Sequence, residues 1–371
     1  MRALILLITS TLVIMADFTL APVLPKIKEA FIDTPNIDLL VKLVLTLPAL
    51  FIVASSPFIG YFTDKYGRKK VVLYSIIVYV LSGTAGYFAT SIYDLLISRA
   101  ILGIAVSGVI TGCSALITDY YKGPELSRMM GIQSSFIGYG GLFYILIGGF
   151  LADSYWRNTF LVYLSPLVLL ILFAIFIDEP DIKRTISTNI NVFDLKKYAK
   201  IYLAAFFLMA FFYMIPLQIP FYLKSIMPTI TNTHIAFTLC IVSICSATTS
   251  IFYKKIKDRL SFRDLFIIPF LIIGAGYIVI SSYPEYLFSV VGLMVAGVGM
   301  GLVVPNLRVW VGSISNFEFT GRAFGGLTTC FYLGQFFSPL LIRGISGNFT
   351  IAGILMVVMA VMFVFVRKKL A

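Results

Sequence analysis

Charge is scarce in this 371-residue chain: Asp, Glu, Lys and Arg make up 12% of it, and 59% of its residues are hydrophobic. Soluble domains carry about 25% charge, so a water-soluble core is excluded and lipid is the expected solvent. Histidine occurs once, as His234, and cysteine four times, as Cys113, Cys240, Cys245 and Cys330. All four cysteines fall inside apolar runs, without metal-ligand spacing or a disulfide framework, and read as small buried hydrophobes. His234 opens an apolar run, which suits an interfacial role better than a proton relay. There is no phosphate-cradling Gly-Lys-Ser/Thr loop and no Ser/His/Asp constellation. Enzyme catalysis and ATP-driven pumping are therefore not expected, nor is any cofactor or metal.

What the chain does have is long apolar runs. Twelve are counted, at 3–24, 39–61, 70–89, 94–117, 128–151, 158–177, 200–222, 234–253, 264–282, 286–307, 323–344 and 349–366. Each is roughly 20 residues, the length of a helix crossing a ~30 Å hydrocarbon core. A membrane barrel would instead show alternating segments of ~10 residues. The first run lacks a small-residue cleavage site and reads as a retained span.

The net charge of +12 raises the question of a polyanionic partner, and its distribution answers it. With the N-terminus inside, 22 of the 29 basic residues fall in inner loops or the tail, Arg308 among them. Six fall outside and Arg99 lies within a span. Such asymmetry reports orientation, with both termini cytoplasmic, and gives no reason to expect nucleic acid.

A shift of 194 positions aligns several landmarks. Asp64-Lys65-Tyr66-Gly67 falls on Asp258-Arg259-Leu260-Ser261, and Ser127-Arg128 on Gly321-Arg322. Pro22 falls on Pro216, Gly103 on Gly297 and Gly140 on Gly334. Six runs precede the polar insert that opens at Asp178, and six follow. The expected organisation is an N-terminal six-helix bundle at 1–177, a cytoplasmic linker at 178–199 and a C-terminal six-helix bundle at 200–371. An even number of spans per half gives a parallel repeat, with a cleft near the midplane.

The stretch Gly60-Tyr-Phe-Thr-Asp64-Lys-Tyr-Gly67-Arg68-Lys69 closely resembles the loop signature G-x-L-x-D-R-x-G-R-[KR] of the major facilitator superfamily, with Phe62 in the Leu place. Arg99-x-x-x-Gly103 resembles a second motif of that family, and Ala16-Asp17-Phe-Thr-Leu-Ala-Pro22-Val-Leu-Pro25 resembles a first-span signature of its bacterial proton-coupled efflux branch. In span five, Gly140, Gly148 and Gly149 keep that branch's pattern, while Tyr144 and Ile145 replace its Gly-Pro pair. The resemblance covers the whole chain. It implies an all-α membrane protein with twelve transmembrane helices in two pseudo-symmetric six-helix bundles, a monomer in a bacterial-type inner (plasma) membrane, whose partners are a small-molecule substrate, protons and lipid.

The turn after span two gathers five charges: Asp64, Lys65, Arg68, Lys69 and Lys70. Topology and anionic lipid account for the basic residues. They do not account for Asp64, or for Gly60 and Gly67. Gly60 would admit a neighbouring helix, and Gly67 would adopt a positive φ. Asp64 would then face a helix N-terminus, which in the resembling family belongs to span eleven, beginning here near Arg322. The turn, with its second copy at Asp258, is expected to act as a conformational latch worth ~1–2 kcal/mol.

Two ionisable residues, Asp17 and Arg99, lie well within spans. Such charges are costly and mark pathways or pairs. Asp17 is expected to carry the coupling proton and Arg99 to tune it. The alternative is an Arg99 that snorkels to the headgroups with Asp17 as its counter-ion. Phe18, Gln133, Tyr139, Tyr144, Phe211, Tyr213, Gln218, Tyr332 and Gln335 are the candidate substrate-binding residues, a lining suited to lipophilic, variable ligands. No further basic residue is read as mid-span, so a neutral or cationic compound is expected rather than an anion. Proton-coupled efflux is the function expected. A proton symporter or facilitator for a sugar-like nutrient is the alternative, and a non-transporting membrane receptor the third reading.

Overall fold

The computed structural model describes residues 1–180, 195–315, 320–341 and 348–365, so most of the linker lies outside the described residues. So do Lys183, Arg184, Arg343 and Arg367-Lys368-Lys369, which entered the topology argument. Every regular element among the described residues is helical. In order they are α1 (Arg2–Ser10), α2 (Leu12–Phe18), α3 (Leu24–Ala30), α4 (Ile37–Tyr66), α5 (Arg68–Ala85), α6 (Ile92–Tyr120), α7 (Gly123–Ser154) and α8 (Pro166–Phe176). There follow α9 (Leu195–Phe212), α10 (Met214–Ile226), α11 (Asn232–Ile251), α12 (Tyr253–Lys257), α13 (Asp264–Ser282), α14 (Tyr286–Ile314), α15 (Thr320–Leu341) and α16 (Phe349–Phe365). A 3-10 stretch, Trp156–Leu164, leads into α8.

Among the described residues, ten stretches are long and apolar enough to cross a membrane, from Arg2–Ala30 to Tyr286–Ile314. The helices α15 and α16 occupy the eleventh and twelfth apolar runs. Large apolar side chains such as Phe58, Tyr74, Phe150 and Leu287 stand exposed on these helices, as a lipid-facing surface allows. One boundary differs from expectation. Arg308, read above as a loop residue, sits inside α14, six residues before its end.

The chain falls into two compact units: Met1–Asn191 with Thr231–Ala236, and Val192–Ile230 with Phe237–Ala371. Within the first unit, the Asp153 carboxylate at the end of α7 accepts from the backbone N–H of Asn232 at 2.6 Å and of Thr233 at 3.2 Å. A carboxylate satisfying the open N–H groups of a helix start is a favourable cap.

The repeat found in the sequence reappears as shared local structure within each unit. α2 ends at Phe18 and α9 ends at Phe212, again 194 positions apart. The physical cause is the same in both. A proline four residues on, Pro22 or Pro216, has no N–H to offer that residue's carbonyl. Beside the second break the Tyr277 hydroxyl donates to the Phe211 carbonyl at 2.7 Å, whereas in the first unit the Tyr79 hydroxyl donates to the Leu12 carbonyl at the start of α2, at 2.8 Å. Helix contacts repeat too. A Cβ at Gly103 would come within 2.4 Å of the Pro48 carbonyl oxygen, and one at Gly297 within 2.7 Å of the Val242 carbonyl oxygen. Residues 48 and 242 keep the 194 offset, so the two glycines admit the same neighbouring backbone.

Candidate functional site

Arg99 is fully buried, so its side chain does not snorkel. Asp94 and Ser91 form a reciprocal capping box at the start of α6 and fix where that helix begins. Two turns in, the Arg99 guanidinium donates to the Tyr163 hydroxyl at 3.0 Å, to the Gly83 carbonyl at 3.2 Å and, more weakly, to Ser98 Oγ at 3.5 Å. Its central carbon lies 4.9 Å from the Tyr163 ring centroid and 5.4 Å from that of Phe160. Two aromatic faces and neutral acceptors thus hold a cation away from water. The seat depends on missing side chains: a Cβ at Gly83 would sit 2.5 Å from the Tyr163 ring, and one at Gly86 2.2 Å from Phe160.

Asp17 is 4% exposed and is the penultimate residue of α2, just before the span-one break. Its charge acts on both Tyr163 and Tyr79. The Tyr163 hydroxyl also meets the Thr19 side chain two residues beyond Asp17. Tyr163 therefore joins the arginine to the broken stretch that carries the acid. Sequence reasoning missed it, because nothing in the 3-10 stretch distinguishes Tyr163 from the other aromatics of the chain.

The charged turn has a different construction from the one expected. Gly67 does adopt a positive φ, +108°, and separates α4 from α5. Gly60 admits no helix, since an added Cβ there would meet nothing within 4 Å. Asp64 stays exposed at the end of α4, as do Asp258 and Arg322. The carboxylate that caps α5 is Glu179, which accepts from the backbone N–H of Arg68 and of Lys69, both at 2.7 Å. Arg68 pairs with the largely buried Asp119 and donates to the Ala115 carbonyl at 2.6 Å, and Lys69 Nζ donates to the Ala174 carbonyl at 2.8 Å. Arg2 pairs with Asp178. The first two residues of the linker are thus fastened to the turn and to the N-terminus.

The candidate substrate-binding residues divide. In the first unit, Gln133 donates to Ser10 Oγ at 2.8 Å and Tyr144 shares a 3.0 Å hydrogen bond with Thr11, so both tie α7 to span one. Phe18 is half-buried and Tyr139 is exposed. In the second unit, Tyr213, Gln218 and Gln335 are buried, while Phe211 and Tyr332 are half-buried. The Gln218 amide nitrogen is enclosed without an acceptor. No His, Cys, Asp or Glu cluster suited to a metal occurs among the described residues. None of the four cysteines forms a disulfide, and His234 is exposed, its Nδ1 2.7 Å from the Thr231 hydroxyl.

A membrane protein built from two internally related units, with a buried cation joined through Tyr163 to the broken stretch that bears a buried acid, has the make-up of a transporter. The model of the Major Facilitator Superfamily matches residues 6–227 and again 201–370, and the chain belongs to that family. It is 28% identical over 211 residues to a class H tetracycline resistance protein of Pasteurella multocida, a match covering 53% of this chain. The chain spans about half the length of that relative, 52%. A multi-drug resistance efflux pump, the PmrA homolog of Lactococcus lactis subsp. lactis, is 24% identical over 84% of this chain and 80% of its own. Among solved structures, a bacterial homolog of the human lysosomal transporter Spinster, inward-facing and occupied, superposes with a TM-score of 0.81 over 100% of this chain and 98% of its own, at 16% identity. That likeness concerns the fold.

Proposed function

We propose that the chain is a secondary active transporter that exports a small lipophilic compound in exchange for protons. Two six-helix bundles, 1–177 and 200–371, alternate access to a central site. The protein sits in a bacterial-type inner membrane with both termini cytoplasmic. Transport rather than catalysis fits an integral membrane protein of this family, and the drug-resistance relatives favour efflux.

One observation carries the coupling mechanism: a fully buried Arg99, held by neutral partners, shares Tyr163 with the segment that bears Asp17. A buried carboxylate is costly when charged and is stabilised by a nearby cation. Asp17 therefore holds its negative charge while Arg99 is close. A rearrangement of the broken helix that loosens the Tyr163 junction favours protonation. The two states bind a proton with different affinity, which is what coupling requires. The turn at Gly67, clamped by Glu179 and the Arg68–Asp119 pair, is rigid enough to serve as the latch, with Asp64 presented at its edge.

The test uses protein reconstituted in liposomes that enclose a pH-sensitive dye. Toxic lipophilic compounds should discharge an imposed pH gradient with the wild type and not with Asp17→Asn. Proton-linked discharge that survives in D17N removes Asp17 from the role. Accumulation of a sugar down the proton gradient, without drug-linked discharge, would establish the symporter reading instead.

A further inference from the structure

We propose that Tyr144 is a positioning residue for proton exchange: its hydrogen bond to Thr11 locks a hinge in span one and so holds α2, with Asp17 near its far end, in place. The inference rests on the preceding reading in one respect, that Asp17 carries the proton. It moves Tyr144 from the substrate lining expected above to the machinery that sets the acid.

The hinge begins in the sequence. Thr9, Ser10 and Thr11 put three hydroxyls in a row where α1 passes into α2. Each turns back on its own helix, donating to the carbonyls of Ile5, Leu6 and Ile8 at 2.7, 2.8 and 2.7 Å. A hydroxyl bonded in this way competes for backbone acceptors and bends a helix. The Thr11 N–H bonds three residues back, to the Ile8 carbonyl at 3.0 Å, the tightened pattern of a helix end. The second unit supplies a control. At the 194 offset the matching residues are Leu203, Ala204 and Ala205, which carry no hydroxyl, and α9 runs through them from Leu195 to Phe212.

Donors from two other helices converge on this point. Gln133 of α7 donates to Ser10 Oγ at 2.8 Å, and Tyr79 of α5 donates to the Leu12 carbonyl at 2.8 Å. The Thr11 and Tyr144 hydroxyl oxygens are 3.0 Å apart. The single hydroxyl proton of Thr11 points to Ile8, so Tyr144 is the donor in this pair. α7 comes close enough because Gly140, one turn before Tyr144, has no side chain: an added Cβ would be 2.9 Å from Thr11 Cβ. A helical side chain leans toward the N-terminus of its helix, which returns the Tyr144 hydroxyl to the level of Gly140 and Thr11. Ser10, Thr11, Leu12, Tyr79, Gln133 and Tyr144 are all buried, so water does not compete for these bonds.

Leverage makes the bond matter. Asp17 is six residues beyond Thr11, ~9 Å along the helix. A bend of about 10° at Thr11 carries it sideways by ~1.6 Å, several times the whole spread of ordinary hydrogen-bond lengths. Tyr163, at the far end of α2, packs its ring on Tyr79 with centroids 5.8 Å apart, so the same tyrosines meet both ends of the segment. Arg99 of α6, Tyr79 of α5, Tyr144 of α7 and Tyr163 of the 3-10 stretch are the ionisable groups standing around it. With the Tyr144 bond made, α2 keeps Asp17 by the Tyr163 junction; with it broken, the acid drifts from its cation.

Two readouts test the proposal, one for the segment and one for the proton, and neither needs a substrate. The first is backbone amide exchange of residues 11–18 in purified protein at fixed pH. Tyr144→Phe keeps the ring and removes the donor. It should speed that exchange about fivefold, the factor for one net hydrogen bond, and leave α9 around Ala205 unchanged. Thr11→Val should act likewise, Thr11→Ser should behave as wild type, and the double variant Y144F/T11V should be no faster than T11V. The second readout is the infrared band of a protonated carboxyl group, titrated with pH. The part of it missing from D17N belongs to Asp17, and its midpoint should rise by about 0.5–1 pH unit in Y144F. If Y144F does not fold, T11V supplies both readouts. Unchanged exchange in residues 11–18, equal acceleration in α9 or an unmoved midpoint would overturn the proposal, even if the melting temperature fell, since a merely structural tyrosine would do no more. If no band distinguishes wild type from D17N, the coupling reading falls, and the exchange result decides by itself whether Tyr144 locks the hinge.

Discussion

The two units resolve the same structural problems with different chemistry. At the offset of 194, Asp17 corresponds to Phe211 and Arg99 to Leu293, so the buried acid and base of the first unit have wholly apolar counterparts in the second. The turn shows the same divergence. Gly67 corresponds to Ser261, and Ser261 caps its own helix: its hydroxyl accepts from the Asp264 N–H at 3.1 Å, and Asp264 accepts in return from the Ser261 N–H at 3.1 Å. The first unit has no such local cap and takes Glu179 from 111 positions further along the chain. Arg68 and Asp119 correspond to Phe262 and Ser313. In place of the ion pair, Phe262 stacks on Trp310 with centroids 5.9 Å apart and 9° between the planes. Arg308, in turn, corresponds to Ser114. A shared fold therefore leaves the chemistry of each unit free to differ: the first holds the buried Asp17 and Arg99 and the carboxylates that fasten residues 178 and 179 to the N-terminus and the turn, and the second has apolar residues at the places matching that acid and base.

That comparison can be broken most directly at Asp17. D17N is expected to lower gradient-driven transport by on the order of a hundredfold, the scale of losing one positioned proton-transfer group. Phe211→Leu at the matching place should change transport only modestly. Equal losses would mean that the coupling is not confined to the first unit.

Stability separates the turns next. Arg68→Gln leaves the largely buried Asp119 without its partner and should cost about 3–5 kcal/mol. Phe262→Leu removes a stacked pair worth about 0.5–1.5 kcal/mol beyond its area. Denaturation in detergent measures both. Gly83→Ala drives a methyl into the Tyr163 ring and should cost about 1–3 kcal/mol, while also impairing proton exchange through the Arg99 seat. A stable but uncoupled G83A would sharpen the role of Tyr163.

The smallest effects are at the caps. Glu179→Ala and Ser261→Ala should each cost about 1 kcal/mol of helix stability. Only the first is expected to alter transport rate as well, because only Glu179 fastens the linker to the turn. Equal transport in the two variants would reduce Glu179 to an ordinary cap.

Much of this was legible from residue spacing. Long apolar runs, the asymmetry of Lys and Arg, and the 194-residue offset pointed to membrane helices and an internal repeat, because lipid forces backbone hydrogen bonds inside each span. The prolines at 22 and 216 were legible as a matched pair at that offset, and the structure shows a helix ending four residues before each. Asp17 and Arg99 were conspicuous as charges where charge is expensive. Other features gave no such signal. Tyr163 and Phe160, from the 3-10 stretch, and Gly83, from α5, form the arginine seat from two segments remote from Arg99 in sequence, and Glu179 reaches α5 from beyond the sixth apolar run. Gly60 was expected to admit a helix and meets none, and Arg308 was assigned to a loop because α14 continues past the apolar run that announced it.

Composition and periodicity pointed to the solvent and the helices, since these depend on backbone chemistry that each stretch of chain carries locally. Which carboxylate meets which helix end, which ring covers which cation and which charge keeps its water depended on the packing of remote segments. Those contacts are set by distance and burial in three dimensions, and linear order does not record them.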